Sequence, residues 1–143
     1  MNSNNFAAKM MRGEIARPPI AQTLNAEFLD FDLELKTLRS TFLIGDQFLN
    51  PIGHVQGGIL SAMLDGTMGP AAGLHLEENQ FVPTLNLNTS FIRPGKAGKF
   101  ICQGKVINLG RTICYLSGEL FDAEDKLVAT ATATAKIVTF VNK

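Results

Sequence analysis

The stretch Asn50-Pro51-Ile52-Gly53-His54-Val55-Gln56-Gly57-Gly58-Ile59-Leu60-Ser61-Ala62-Met63-Leu64-Asp65-Gly66-Thr67-Met68-Gly69 decides the fold. A polar, turn-rich loop opens through a Gly-Gly pair into an apolar run long enough for a helix. At about 100° per residue, Ile59, Leu60, Met63, Leu64, Met68, Ala71 and Ala72 share one broad arc. Asp65 falls off that arc, and its helical neighbours Gly58, Ser61, Ala62 and Gly69 are all small. A solvated helix face would carry Lys, Glu or Arg there, and this one carries none. Either another backbone or a ligand lies against it. Asp65 reads as a hydrogen-bonded structural acid or as a working carboxylate. The loop ends at a helix start, where free N–H groups and the helix dipole favour an anion or a developing oxyanion.

Outward from the helix the pattern is extended. On the N-terminal side, Phe31, Leu33 and Leu35 alternate with Asp32, Glu34 and Lys36, which predicts a half-exposed strand. Thr41–Ile44 is a second strand, closed by Gly45-Asp46. Residues 4–14 predict a short helix anchored by Phe6, Met10 and Ile15, broken at Arg17-Pro18-Pro19. Beyond the helix, Pro70 and Gly73 mark its end or a kink, and residues 76–80 make a polar turn. Residues 84–91 alternate, with Leu85, Leu87 and Phe91 on one side and Thr84, Asn86, Asn88 and Ser90 on the other. Three more strands follow over 100–108, 112–121 and 127–140, joined by short turns as an antiparallel meander. Ala129 to Ala135 alternates Ala with Thr, a strand whose small face lets a helix lie close. The expected class is therefore α+β: about six antiparallel strands curved around one long buried helix.

The 143 residues suit one domain over 1–143, with residues 1–20 as an N-terminal extension. Hydrophobic content of 45% supplies a full core. Formal net charge is zero, so nothing global points to nucleic acid or an acidic membrane. No run reaches the roughly 20 apolar residues of a membrane span, and the N-terminus does not read as a secretory signal. Cys102 and Cys114 lie on neighbouring strands, opposite roughly residues 118 and 106. They should remain free thiols, which suits a reducing cytoplasm; neither has companions at metal-ligand spacing, so no metal is expected. Residues 79–118 contain no acid but hold Arg93, Lys96, Lys99, Lys105 and Arg111. Cations on two loops, after Phe91 and around Gly110, suit a ligand with several phosphates or an ordinary solvated patch.

From about Pro18 to Val138 the chain resembles the hotdog-fold acyl-CoA thioesterases, specifically the phenylacetate-pathway (PaaI-like) branch. The family pattern Asn-x-x-Gly-x-x-His-Gly-Gly, then a helix with Asp, stands here as Asn50, Gly53, Gln56, Gly57, Gly58 and Asp65. Thr84, Phe91-Ile92-Arg93-Pro94 with Gly98, Gly110-Arg111 and Leu127-Val128-Ala129 continue the match. The resemblance implies an acyl-CoA thioesterase with a hotdog fold. Asp65 is then nucleophile or general base, the Gly57 N–H polarises the thioester carbonyl, and Asn50 helps place the carbonyl or the water. Thr84 and Gln56 support them, and Asn86, Phe91, Arg93, Asn108, Gly110, Arg111 and Thr112 bind coenzyme A or substrate. Coenzyme A is part of the substrate, and no cofactor is implied. The family builds each site between two subunits, so the chain should form a homodimer, assembled further into a tetramer.

Gln56 departs from the family's His; it hydrogen-bonds but carries no proton at neutral pH. Two other readings remain: a non-catalytic acyl-CoA-binding module, and a hotdog dehydratase with His54 as base. His54 otherwise reads as an ordinary loop histidine.

Overall fold

A computed structural model describes residues 4–141. Six strands form one antiparallel sheet in the order β1-β2-β5-β6-β7-β4. They are β1 (Glu27–Asp32), β2 (Thr37–Ile44), β4 (Thr84–Phe91), β5 (Gly98–Leu109), β6 (Ile113–Phe121) and β7 (Leu127–Lys136). Helix α3 (Gly57–Gly73) lies against one face. Two short helices, α1 (Phe6–Met11) and α2 (Pro19–Thr23), precede the sheet, and β3 (Gln80–Phe81) pairs with β8 (Val138–Thr139). This is the expected α+β architecture.

The helix packs closely because the sheet beneath it is cut small. Ala129, Ala131, Ala133 and Ala135 of β7 are all buried, while Leu60, Met63, Leu64 and Met68 cover them from α3. At Gly104 a Cβ would stand 2.9 Å from the Thr67 carbonyl oxygen and 3.0 Å from the Met68 Cα. Backbone rests on backbone there, and neither can swing aside. Gly104→Ala is expected to destabilise the protein by about 1–3 kcal/mol through overpacking. Urea unfolding checks this, and an unchanged midpoint would mean the helix is free to lift. Thr67, fully buried, donates its hydroxyl to the Met63 carbonyl one turn back at 2.9 Å. Cys102 beside it is pushed up to about 12 by burial, against a smaller lowering from Thr67, so its thiol is unreactive.

Several local expectations are corrected. Leu33 and Leu35 belong to a turn, not to a strand: the Asp32 carboxylate accepts from the N–H groups of Glu34 and Leu35 and folds the chain back. Lys36, at φ 55°, completes the reversal. Phe6 is 60% exposed; Ala7 and Ala8 are what α1 buries, and Asn5 caps it. Pro19 starts α2 rather than merely breaking a helix, since proline suits a first helical turn. Of the two residues expected to mark its end or a kink, Gly73 is where α3 ends, while Pro70 stays inside it. Irregular register shifts the cysteines: Cys102 faces Leu120 and Cys114 faces Leu109, both free and buried.

The correction that matters most lies in β4. The pairing slips between Thr84 and Asn86, so Leu85 is extruded at a bulge. Thr84 therefore shares a face with Leu87, Thr89 and Phe91, opposite the buried alanines, rather than with Asn86 and Asn88.

Candidate functional site

Asp65 sits mid-helix on the face of α3 that the core leaves uncovered. Thr84 Oγ1 donates to its Oδ1 at 2.8 Å. One turn earlier, Ser61 Oγ donates to Thr89 Oγ1, also at 2.8 Å. Two hydroxyl contacts thus tie the polar flank of α3 to β4. The bulge at Leu85 is what turns Thr84 towards the helix. Sequence reasoning missed the Ser61–Thr89 pair, although Ser61 stands four residues before Asp65 in the sequence.

The rest of that helix face is bare. A Cβ at Gly58, Gly66 or Gly69 would meet nothing within 4 Å. Each helical glycine costs roughly 1 kcal/mol relative to alanine. The chain's own packing gives no reason for that cost, and the bare face leaves room for a ligand or another chain.

The loop 50–56 is held by Asn50. Its Oδ1 accepts from the N–H groups of Ile52 and His54 at 3.1 and 3.0 Å, leaving its Nδ2 without a partner among the described residues. Gln56 caps α3 with its backbone carbonyl, which accepts from Ile59 and Leu60, while its exposed side chain makes no capping bond. The Gly57 N–H, at the first helical position, has no acceptor among the described residues. The Phe91 ring covers Gly57 so closely that a Cβ there would come within 3.0 Å of it.

A cleft of about 330 Å³ joins Asn50, His54, Gly57 and Phe91 to Arg93. It continues past His54 and Arg93 into a basin of about 460 Å³ that includes Lys96, Lys99 and Lys126. The loop histidine therefore faces the same groove as the helix start.

Most of the predicted residues fall into two groups at opposite ends of the sheet. Gly57, Phe91 and Arg93 mark one end, where Arg93 Nη1 donates to the Leu127 carbonyl at 2.9 Å. Asp65 and Thr84 mark the other. Gly110, Arg111 and Thr112 turn there too: Ile137 N–H donates to the Thr112 carbonyl, and the adjacent Lys136 N–H donates to that of Pro83. The two basic loops are the ends of β5, roughly 35 Å apart along the strand. Within one chain they cannot grip one ligand. Asn86 and Asn108 lie on the outer sheet face with Tyr115, around a concavity of about 380 Å³, away from Asp65. Among the described residues no cluster of His, Cys, Asp or Glu has the makings of a metal site. No described helix is long and apolar enough to cross a membrane.

The family model of the thioesterase superfamily matches residues 52–129. A Haemophilus influenzae protein named "Putative esterase" is 30% identical over 102 residues, covering 71% of this chain and 73% of its own. A Ralstonia eutropha protein, titled a putative thioesterase related to phenylacetic acid degradation, is 43% identical in its crystal structure, with a TM-score of 0.89. That match covers 92% of this chain and 99% of the other. The PaaI protein of E. coli shares the fold at 19% identity, with a TM-score of 0.81 over 92% of this chain and 93% of its own.

Proposed function

This chain belongs to the thioesterase superfamily and is a thioester hydrolase; from that premise we propose that it hydrolyses acyl-CoA at sites shared by two copies of itself. Asp65 of one copy acts on the carbonyl carbon, either as general base for a water or as nucleophile. The negative charge that develops on the carbonyl oxygen is met by the Gly57 N–H of the second copy. Collapse breaks the carbon–sulfur bond, and the coenzyme A thiolate leaves and takes up a proton; the general-base route gives the acid directly, and the nucleophile route leaves a mixed anhydride on Asp65 that water then hydrolyses to the acid.

One observation carries this reading. Asp65 stands eight positions along α3 from Gly57, which is about 12 Å of helix rise. One carbonyl group cannot touch both in one chain. Strand β4 closes the sheet order, so its outer edge has no strand beside it. Its exposed Leu85, Phe91 and Ile92 make that edge a poor one to leave in water. Antiparallel pairing of β4 with a second β4 about a two-fold axis sets each Thr84 end beside the other's Phe91 end. Asp65 then approaches the second copy's helix start, and the Gly110–Thr112 turn approaches its Arg93. Both basic loops then serve one coenzyme A. Exposed Leu43, Ile107 and Tyr115 on the outer sheet face suit a dimer of dimers. The free cysteines suit a reducing compartment such as the cytoplasm.

Subunit mixing tests the shared site. Asp65→Asn and Gly57→Pro variants, each inactive alone, are unfolded together, refolded and assayed for thiol release from acyl-CoA. Random reassortment makes half the dimers mixed, and each mixed dimer keeps one intact site, so roughly a quarter of wild-type turnover should return. No recovery at any mixing ratio would put both groups in one chain's site and overturn the proposal.

A further inference from the structure

On the other side of α3 from Thr84, the N-terminal segment roofs a small cavity of about 60 Å³ that no step above uses. Met10, Ala21, Phe28 and Pro70 give it apolar walls, and Gly66 lies at its mouth. Gly66 is exposed, a Cβ there would meet open space, and it directly follows Asp65. Arg17 ties the roof down by donating to the Ala26 carbonyl.

Two polar groups border this apolar space. Ser40, on the inward face of β2, is only 3% exposed, and its hydroxyl has no hydrogen bond among the described residues. Among the described residues no fully enclosed side-chain oxygen lacks a partner, so that hydroxyl keeps some free surface, and Ser40 lines the cavity. Gly66 supplies the second group. Its carbonyl would accept from residue 70 in a regular helix, and residue 70 is proline, which has no N–H. An apolar atom set against that hydroxyl would shut it from water unpaired, which is costly. A ligand atom that accepts from Ser40 and donates to Gly66 removes that cost.

We propose that this cavity receives the far end of the substrate's acyl group, and that it favours a straight chain ending in a hydroxyl. The inference rests on Asp65 being the catalytic carboxylate. On a helix about 10 Å across, Asp65 and the Gly66–Pro70 flank stand roughly 8 Å apart, a span an alkyl chain bridges over the bare glycine face. Size decides against a ring: a cavity that takes benzene measures about 150 Å³. The roof, built by α1 and α2, sets how much chain is accepted.

The test compares straight-chain acyl-CoAs with their ω-hydroxy counterparts of equal length, beside acetyl-CoA and phenylacetyl-CoA. Wild type should favour the ω-hydroxy member at the best length by about tenfold in kcat/KM. Ser40→Ala should erase that preference mainly through KM. Ala21→Phe, on a different element, should raise KM for the longer chains relative to acetyl-CoA. Thermal unfolding of each variant confirms that it is folded. If wild type turns over the panel but neither variant changes the ratios between substrates, the cavity holds only water; the inference is then overturned and the shared thioesterase site stands. A preference for phenylacetyl-CoA that Ala21→Phe leaves intact also overturns it. If wild type hydrolyses no acyl-CoA, the proposed function itself fails and takes this inference with it.

Discussion

Asp65→Asn is expected to lower kcat by about 10²–10⁴-fold and to leave KM nearly unchanged. The substitution removes the charge and keeps the shape. Thr84 can still donate its hydroxyl to the amide oxygen, as it now does to Oδ1. Ser61 and Thr89 still tie the helix to β4. Nothing in the core touches this flank, so stability should change little. What is lost is the only carboxylate on the bare face of α3, and with it the proposed base or nucleophile. Steady-state thiol release on the best acyl-CoA measures the effect. Turnover near that of wild type would make Asp65 a structural acid held by Thr84.

Gly57→Pro is the second large loss, about 10²–10³-fold in kcat, the usual cost of one oxyanion donor. Proline removes the N–H and little else at this position. The first helical residue tolerates it, because its N–H has no place in the helix ladder. Gln56, at φ −55° and ψ 136°, already has the extended conformation a following proline demands. The ring displaces Phe91, whose side chain is 56% exposed and has room to swing. Gly57→Ala is the control, since it meets Phe91 in the same way and keeps the N–H. If the two variants lose activity equally, crowding against Phe91 is the cause and the oxyanion is stabilised elsewhere.

Much of this was legible in the sequence because short-range physics governs it. The apolar arc of α3, the small face around Asp65 and the Ala–Thr alternation of β7 each follow from one element's own periodicity. The misreadings came where a single residue resets a period. Leu85 leaves the ladder at a bulge, and every side chain before it changes face, which alternation alone cannot reveal. Asp32 closes a turn with its own carboxylate, so Leu33 and Leu35 keep an alternating spacing without being a strand. The residue types of the candidate site were legible in the sequence; the roles proposed for them, and the sharing of each site between two subunits, come from the family resemblance. Arg93 and Arg111 look like neighbours in a basic tract, yet β5 holds them at opposite ends. The empty hydroxyl of Ser40 left no mark in the sequence either, since a buried serine on a strand looks like any other.

The eight-residue step from Gly57 to Asp65 also limits how such a protein can change over generations. One residue inserted into α3 between them would turn the carboxylate by about 100°, off Thr84 and away from the bare face. One residue inserted into β4 would flip half its side chains to the opposite face. The two elements must keep step with each other and, in the proposed dimer, with their copies. Descendants can therefore vary what fills the acyl end or decorates the basic loops by substitution. Length can drift at the turns and at the N-terminal roof, while the span between helix start and carboxylate stays locked.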